Sequence, residues 1–222
     1  MEPKEINYIE RKLGVPLPQE LRDFLEFTSG IEFKLAKKSR AYTIISELGV
    51  DKIEVGFFPE FFTHGLPFAH DGAGNYWVME ITPSATDTVP VYYASHDPPT
   101  ILYQSPSLSA FFEELFRLYT PPHSSLVRSV FDDDLFDVYR KNPGALSHTE
   151  AAASIDPAIR EFAATLPEHF EIVDLRDVPI GMGFSFGRYG ADTELKRHGE
   201  ERIFAYAKPP RRGLMARLFG VR

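Results

Sequence analysis

The 222-residue sequence contains no cysteine, which excludes disulfide bonds, thiolate metal sites and cysteine nucleophiles at once. It also lacks any apolar run near the roughly 18 to 20 residues that a membrane-spanning helix needs. The first residues, MEPKEINYIERKLG, are charged where a secretory signal would be apolar. These absences predict a cytoplasmic protein with no stable membrane insertion.

The composition is that of a folded protein with an acidic surface. Hydrophobic residues make up 43% of the chain and charged residues 25%, which is ordinary for a globular protein. The net charge is −8, and residues 1–120 hold 17 acidic against 10 basic side chains. Such a surface repels nucleic acid and favours basic protein partners, although acidity also serves solubility alone.

Two short helices are predicted at the start of the chain. Residues 6–13 carry apolar side chains at helical spacing and are followed by Gly14, a residue type that tolerates the left-handed conformation of a helix end. Residues 21–28 repeat the pattern, and Gly30 is expected to stop the second helix.

The pattern then changes to short β-rich runs separated by Gly, Pro, Asp and Ser clusters. The runs are YTIIS, KIEVGFF, YWVMEI, VPVYYAS and TILYQ. They predict a sheet of mostly antiparallel strands. A third helix is expected over residues 105–119, with Ser105 as its N-cap and Pro106 in the first turn, and its aromatic stripe is expected to cover one face of the sheet.

The breaker-rich segment TPPHSS, residues 120–125, is the predicted domain boundary. Beyond it we expect a helix around residues 131–139 and another within residues 148–170, interrupted or started at Asp156-Pro157. Three further strands are expected in FEIVDLRDV, GMGFSFGRY and ERIFAYAK. The sequence thus predicts an α+β domain over residues 1–120, a smaller C-terminal α+β unit over residues 121–207 and a basic tail over residues 208–222.

The stretch HDGAGNYWVMEI, residues 70–81, is either an active-site loop or a turn that begins a hairpin. Asp71, Gly72, Gly74 and Asn75 are residue types that accept positive φ or form side-chain turns. In an antiparallel hairpin with VPVYYAS, the residues before the first strand come near those after the second. We therefore predict that these four residues shape a structural turn.

The competing hypothesis for this region is a metal-assisted hydrolase. His70-Asp71 and His96-Asp97 flank the hairpin, and with His64 they would supply imidazole and carboxylate ligands for a divalent metal and its water. Neither pair lies on a predicted helix, and no HExxH spacing occurs. The leading prediction is therefore no catalytic residue, no cofactor and no metal.

The aromatic residues of the hairpin are candidates for partner binding. Paired strands would align Trp77 and Tyr92 with Tyr76 and Tyr93, and the exposed members of this set would anchor an interface. Packing of at least two of them in the core is the alternative.

Charged segments of the C-terminal half are further candidates. Asp132, Asp133 and Asp134 either begin a helix, where the exposed amides favour carboxylates, or form an acidic patch that binds a basic partner. The tail KPPRRGLMARLFGVR holds five basic residues and no acid. It is expected to be a docking segment or a frayed end, with contact to an anionic membrane or nucleic acid as the alternative.

The order of these segments resembles that of a known family. Residues 13–30, LGVPLPQELRDFLEFTSG, resemble the opening LG, LP, helix and SG pattern of the SUKH superfamily, which contains bacterial immunity proteins and yeast cell-wall assembly regulators. HDGAGNYWVMEI followed by VPVYYASHDPP is similar to the family's central DG, GN, strand and HD segment. The helix over residues 105–119 stands where the closing helix of the family belongs, and the resemblance covers roughly residues 4–120.

This resemblance implies an α+β fold with a curved sheet packed against helices. It also implies a non-enzymatic role, that of an immunity protein which binds a cognate toxin, often a basic enzyme, and occludes it. A scaffold that regulates envelope assembly is the other role it allows. Asp71, Gly72, Gly74 and Asn75 match the motif as structural turn residues, and no catalytic residue is transferred. Residues 121–222 lie outside the resemblance.

Overall fold

The fold combines helices with antiparallel sheets, in a computed structural model that describes residues 1–34, 41–44, 61–82, 88–190 and 192–209. The helices are α1 (Pro3–Leu13), α2 (Gln19–Phe27), α3 (Leu108–Arg117), α4 (Leu126–Ser129), α5 (Leu135–Lys141), α6 (His148–Ala152) and α7 (Pro157–Ala164), with a π-helical turn (Val130–Asp134) between α4 and α5. The strands are β1 (Ile31–Lys34), β2 (Ala41–Ile44), β3 (Gly65–His70), β4 (Tyr76–Glu80), β5 (Val91–His96), β6 (Pro99–Ser105), β7 (Leu146–Ser147), β8 (Phe170–Asp174), β9 (Gly183–Phe184), β10 (Leu195–Arg197) and β11 (Ile203–Ala207). The predicted α+β class is confirmed.

The strands form two sheets within the described part of the chain. Sheet A has the order β1-β2-β3-β4-β5-β6-β9, and sheet B has the order β10-β11-β8-β7. Neighbouring strands are antiparallel in both sheets, as predicted. No helix among the described residues is long and apolar enough to span a membrane.

The first two helices form where the periodic apolar residues predict them. In α1, Ile6, Ile9 and Leu13 are buried, and Gly14 ends the helix in the left-handed conformation with φ 77°. The end of α2 differs from the prediction. Thr28 already has an extended backbone and is the C-cap, so the helix ends before Gly30.

The predicted strands YWVMEI, VPVYYAS and TILYQ are confirmed as β4, β5 and β6, and YTIIS overlaps β2. KIEVGFF lies outside the described residues. Strand β3 was not predicted, because its sequence GLPFAH starts with glycine and contains Pro67. The register with β4 shifts between Pro67 and Ala69, and a bulge of this kind tolerates a residue that has no amide hydrogen.

Both faces of the central strands are covered, and alternate side chains point to different partners. Trp77, Met79 and Tyr93 belong to a core shared with the helices, whereas Val78 and Tyr92 belong to a second core. That second core also contains side chains of sheet B, of the residue that follows β8 and of β9, namely Val173, Leu175, Phe184, Phe204 and Tyr206. The C-terminal part of the chain therefore covers the sheet face that the helices leave open.

Helix α3 begins two residues later than predicted. Ser107, not Ser105, is the N-cap, because its extended backbone lets Oγ accept a hydrogen bond from the amide of Ala110 at 3.1 Å. The carboxylate of Glu20 in α2 accepts the amide hydrogens of Leu108 and Ser109 at 2.9 and 3.1 Å. The first turn of α3 is therefore held by a side chain from another helix.

The sequence predicted that the acidic run of residues 132–134 begins a helix. The structure shows that it does not. Ser125 caps the helical segment, and the three aspartates lie in the π-helical turn inside it. Val127 and Val130 from this segment pack in the core shared with α1, α2 and α3. The amphipathic start of the segment, which buries these valines, decides where the helix begins.

The remaining C-terminal elements match the predictions in part. Asp156 caps α7 by accepting from the amides of Ala158 and Ile159, which confirms the predicted break at this point. FEIVDLRDV and ERIFAYAK contain β8 and β11. GMGFSFGRY contributes only the short β9, which pairs with β6 of sheet A. The division at residue 120 stays a prediction, and residues 210–222 of the predicted tail lie outside the described part.

Candidate functional site

The loop between β3 and β4 is organised by one carboxylate. Asp71 is buried, and its Oδ1 accepts the amide hydrogens of Ala73 at 2.8 Å and Asn75 at 3.3 Å. Its Oδ2 accepts from Asn75 Nδ2 at 2.8 Å and from the hydroxyl of Tyr93 at 3.4 Å. Four donors thus converge on one side chain, a geometry that fixes the backbone of the loop.

The residues after β5 meet this loop, as the hairpin predicts. The backbone amide of His96 donates to Asn75 Oδ1 at 3.1 Å, and His96 Nδ1 lies 3.0 Å from the same oxygen. Gly74 has φ 87°, and a Cβ there would lie 3.1 Å from the His96 ring. Gly72 has φ 74° with open space around it. Glycine is required at 74 by conformation and by contact, and at 72 by conformation alone.

The polar groups that the hydrolase hypothesis needs have other hydrogen-bond partners. His70 Nδ1 accepts from the amide of Gly72 at 3.1 Å, and His64 Nδ1 is 3.0 Å from the carbonyl oxygen of Leu13. Asp97 is exposed beside His96. The described residues contain no group of three or more histidine, aspartate or glutamate side chains placed to hold a metal ion. The arrangement suits turn formation better than metal binding.

We predict that Asp71→Ala lowers the free energy of unfolding by about 1–3 kcal/mol, because the amide of Asn75 and its side-chain nitrogen lose their buried acceptor. Chemical denaturation monitored by Trp77 fluorescence measures this loss. Asp97→Ala is the matched control, since that carboxylate is exposed. Equal stability of Asp71→Ala and wild type would contradict the turn role.

Trp77 and Tyr92 are not available as surface anchors. Both are 0% exposed, so their prediction as partner-binding residues is corrected. Trp77 lies 5.1 Å from Tyr93 between centroids and donates from Nε1 to Gln104 at 3.1 Å. Tyr92 packs on Phe62 at 5.4 Å in the core beneath sheet B. The burial arises because each face of sheet A has its own cover.

The three aspartates of the π-helical turn have different environments. Asp132 is paired with Arg128 at 3.0 Å, and Asp133 is exposed. The carboxylate of Asp134 lies against Gly181, where a Cβ would come within 2.2 Å of Oδ2. Burial, together with the charges of Asp133 and Asp137, raises the pKa of Asp134. This acidic patch therefore presents Asp133 most freely, and its role in partner binding stays a prediction.

A buried ion pair that the sequence did not predict joins the two sheets. Arg197 of β10 pairs with Glu80 of β4, and the two side chains are 8% and 2% exposed. Arg197 also donates to the carbonyl oxygens of Phe61 at 2.6 Å, Glu200 at 2.8 Å and Glu201 at 2.9 Å. The pair therefore connects the β10–β11 hairpin of sheet B to β4 of sheet A.

Burial dominates the electrostatics at this junction. Desolvation raises the pKa of Glu80 even though the charge and hydrogen bond of Arg197 lower it. Desolvation likewise raises the pKa of the Tyr92 hydroxyl beside it. A cleft of about 540 Å³ opens next to Glu80 and is lined by this residue and by residues just outside the strands, among them Val89, Arg176 and Arg202. No local signal predicts the contact, because Glu80 and Arg197 are 117 residues apart.

Comparison with known proteins identifies the family to which the N-terminal half is similar. The model of the SMI1 / KNR4 family (SUKH-1) matches residues 2–114. The chain belongs to this family. The predicted SUKH resemblance is confirmed. Searches of curated proteins and of solved structures gave no match.

The matched segment contains strands β1 to β6 of sheet A together with α1 and α2. Sheet B and β9 come from residues beyond it. One face of sheet A is thus covered by helices of the SUKH-1 segment together with α4 and α5 from beyond it, and the other face is covered by sheet B and the residues around it.

Proposed function

We propose that this chain is a non-enzymatic protein-binding protein of the immunity type, which binds a basic toxin domain and covers the face that the toxin needs for its activity. Membership of the SUKH-1 family is the observation that carries the proposal. The net charge of −8 supports a basic partner, because complementary charge speeds encounter and selects the partner.

The geometry of the loop between β3 and β4 supports a role without catalysis. Both oxygens of Asp71 accept hydrogen bonds from loop donors, and Asn75 takes the polar contacts of His96. A general base must have a lone pair within reach of its substrate. The side-chain oxygens of Asp71 and Asn75 instead accept hydrogen bonds from donors within the protein. Elemental analysis and thermal shift with zinc or manganese test the competing hydrolase hypothesis. A bound metal that stabilises the wild type but not a His70→Ala, His96→Ala variant would favour it.

The covered sheet restricts where a partner binds. Tyr92 and Val78 on one face and Trp77 and Met79 on the other are completely buried. These central strands therefore offer a partner no open face, which leaves helices, loops or strand edges among the described residues. This restriction separates the proposal from a mechanism in which the open face of a sheet holds the toxin.

Co-expression tests the immunity role. If the gene next to this one encodes a toxin domain, that domain is expressed in a bacterium with and without this chain, and growth is followed. We expect growth arrest by the toxin alone, and rescue together with a purified 1:1 complex when this chain is present. Arrest that persists despite soluble chain, or rescue without a complex, contradicts the proposal. A SUKH-1 protein that is not the cognate partner of this toxin is the matched control.

Family membership is equally consistent with a cell-wall regulator role. A deletion strain distinguishes the two functions. Altered envelope morphology without any toxin present would favour the regulator, whereas sensitivity only towards toxin-producing neighbours would favour immunity.

A further inference from the structure

Helices α2 and α3 lie side by side and run in the same direction. Glu20 at the start of α2 binds the amides at the start of α3, and four residues further along each helix the rings of Phe24 and Phe112 are 5.0 Å apart. A helix rises about 1.5 Å per residue, so the C-terminal ends of the two helices are also neighbours. Phe27 and Phe116 stand at these ends.

Both of these phenylalanines face solvent. Phe27 is 86% exposed and Phe116 is 55% exposed, although the ring pair Phe24 and Phe112 next to them is partly buried in the core. Phenylalanine is normally buried, and two exposed rings next to a partly buried aromatic pair mark a surface suited to contact. We call the outer surface formed by Phe27, Phe116 and their neighbours on these two helices the α2/α3 face.

Carboxylates are spaced close to the two rings along the same helices, because Asp23 precedes Phe27 by four residues, Glu26 directly precedes Phe27, and Glu113 precedes Phe116 by three. Asp23, Glu26 and Glu113 are exposed, and none of them forms an ion pair with a lysine or arginine in the described part of the chain. The arginines of the same helices are already paired. Arg22 binds Glu10 of α1, and Arg117 binds Glu114.

We propose that the α2/α3 face is the surface that docks the protein partner, and that the partner presents an apolar socket ringed by lysine or arginine. The proposal rests on the protein-binding function above and identifies the surface that performs it. Phe27 and Phe116 enter the socket, while the three carboxylates steer the encounter and meet the basic rim.

Charge decides among the possible occupants. A nucleic acid or an anionic membrane carries the same sign as the three carboxylates and is repelled by them. A second copy of this chain in an isologous contact would place Asp23, Glu26 and Glu113 opposite one another. A basic protein removes water from the two rings and neutralises the acids at the same time.

Site-specific crosslinking tests the surface in the native host. A benzophenone amino acid is placed at position 27, at position 116 and, as the matched control, at the 98% exposed Ile155 on the other half of the chain. We expect one discrete protein adduct from positions 27 and 116, none from 155, and a partner whose crosslinked region is basic. Equal labelling from position 155, or an adduct with nucleic acid, with lipid or with a second copy of this chain, would overturn the proposal.

A further pair of crosslinker positions separates failure of this surface from failure of the proposed function. Positions 133 and 136 lie on the acidic π-helical turn and on α5. A protein adduct there, with none at 27 or 116, refutes the α2/α3 face and leaves the protein-binding function standing. Absence of a protein adduct at every position, together with no rescue in the co-expression test, refutes both.

Affinity measurements with the purified partner complete the test. We expect Phe27→Ala to weaken binding at least about 30-fold and Ile155→Ala to leave it unchanged. Replacement of the three acids, D23N/E26Q/E113Q, is expected to reduce the association rate about tenfold at low salt and much less at high salt. Unchanged thermal unfolding of each variant confirms that folding is intact, and unchanged binding of both variants refutes the α2/α3 face.

Discussion

The substitution Arg197→Met is expected to lower the free energy of unfolding by about 3–5 kcal/mol, because it leaves the buried carboxylate of Glu80 without its partner. It also removes the donor to the carbonyl oxygen of Phe61. Urea denaturation at pH 8 measures the loss. A change below about 1 kcal/mol would show that the ion pair does not hold sheet B on sheet A.

The same variant carries a pH signature. Glu80 already has a pKa raised above 4.5, so its contribution to stability is present at low pH and is lost as the pH rises through the folded pKa. Removing Arg197 raises that pKa further, since the guanidinium lowers it in the wild type. The stability deficit of Arg197→Met relative to wild type is therefore expected to be smaller at pH 5 than at pH 8.

Two controls isolate the buried charge. In the double variant Glu80→Gln, Arg197→Met the titrating group is gone, so we expect its deficit relative to wild type not to grow from pH 5 to pH 8 and to be smaller at pH 8 than that of the single variant. Lys141→Met removes one partner of an exposed pair with Asp137, whose side chains are 67% and 57% exposed. Water replaces such a partner, so no resolvable loss is expected.

Paired cavity substitutions are expected to show that the two halves of the chain unfold together. Phe111 of α3 packs on Phe68 and Trp77, while Phe204 of β11 packs on Phe61 and Phe184. Phe111→Ala and Phe204→Ala should each cost about 3–5 kcal/mol. Differential scanning calorimetry should give one transition for the wild type and one transition, shifted down, for each variant.

The reason for expecting one transition is that each core is built from both sides of residue 120. Val127 and Val130 complete the core under the helices, and Phe184 inserts into the core between sheets A and B. If residues 1–120 and 121–207 were independent domains, calorimetry would show two transitions and each substitution would shift only one. Such a result would support the predicted boundary and contradict the shared cores as the basis of stability.

The closed sheet also bears on how the chain would bind a partner. With Tyr92 and Val78 under sheet B, the C-terminal residues cover one sheet face of the SUKH-1 segment and leave helices, loops and strand edges as the available surface. The exposed Phe27 and Phe116 are on helices of that segment or at its end. If the α2/α3 face binds the partner as proposed, the residues of sheet B need not contact it.

Local patterns in the sequence predicted the elements whose stability is local. The periodic residues Ile6, Ile9 and Leu13 are sufficient for α1, and Asp156-Pro157 specifies the start of α7. The turn around Asp71 could likewise be predicted, since aspartate and asparagine side chains bond to nearby backbone groups and glycine accepts positive φ. The N-cap at Ser107 was missed by two residues, because Ser105 offers the same chemistry and only the backbone geometry distinguishes them.

The sequence by itself determined the α+β class and the antiparallel hairpin around Trp77, because helical periodicity, alternation and turn residues act over short distances. The family came from the resemblance of its motifs to those of SUKH proteins. Only the tertiary structure decided which face each strand residue occupies and what covers it. Alternation shows that Tyr92 and Tyr93 point to opposite sides, but it does not show that sheet B covers the first and helices cover the second. The pairing of Glu80 with Arg197 and of β9 with β6 likewise depends on long-range packing, for which no local pattern exists.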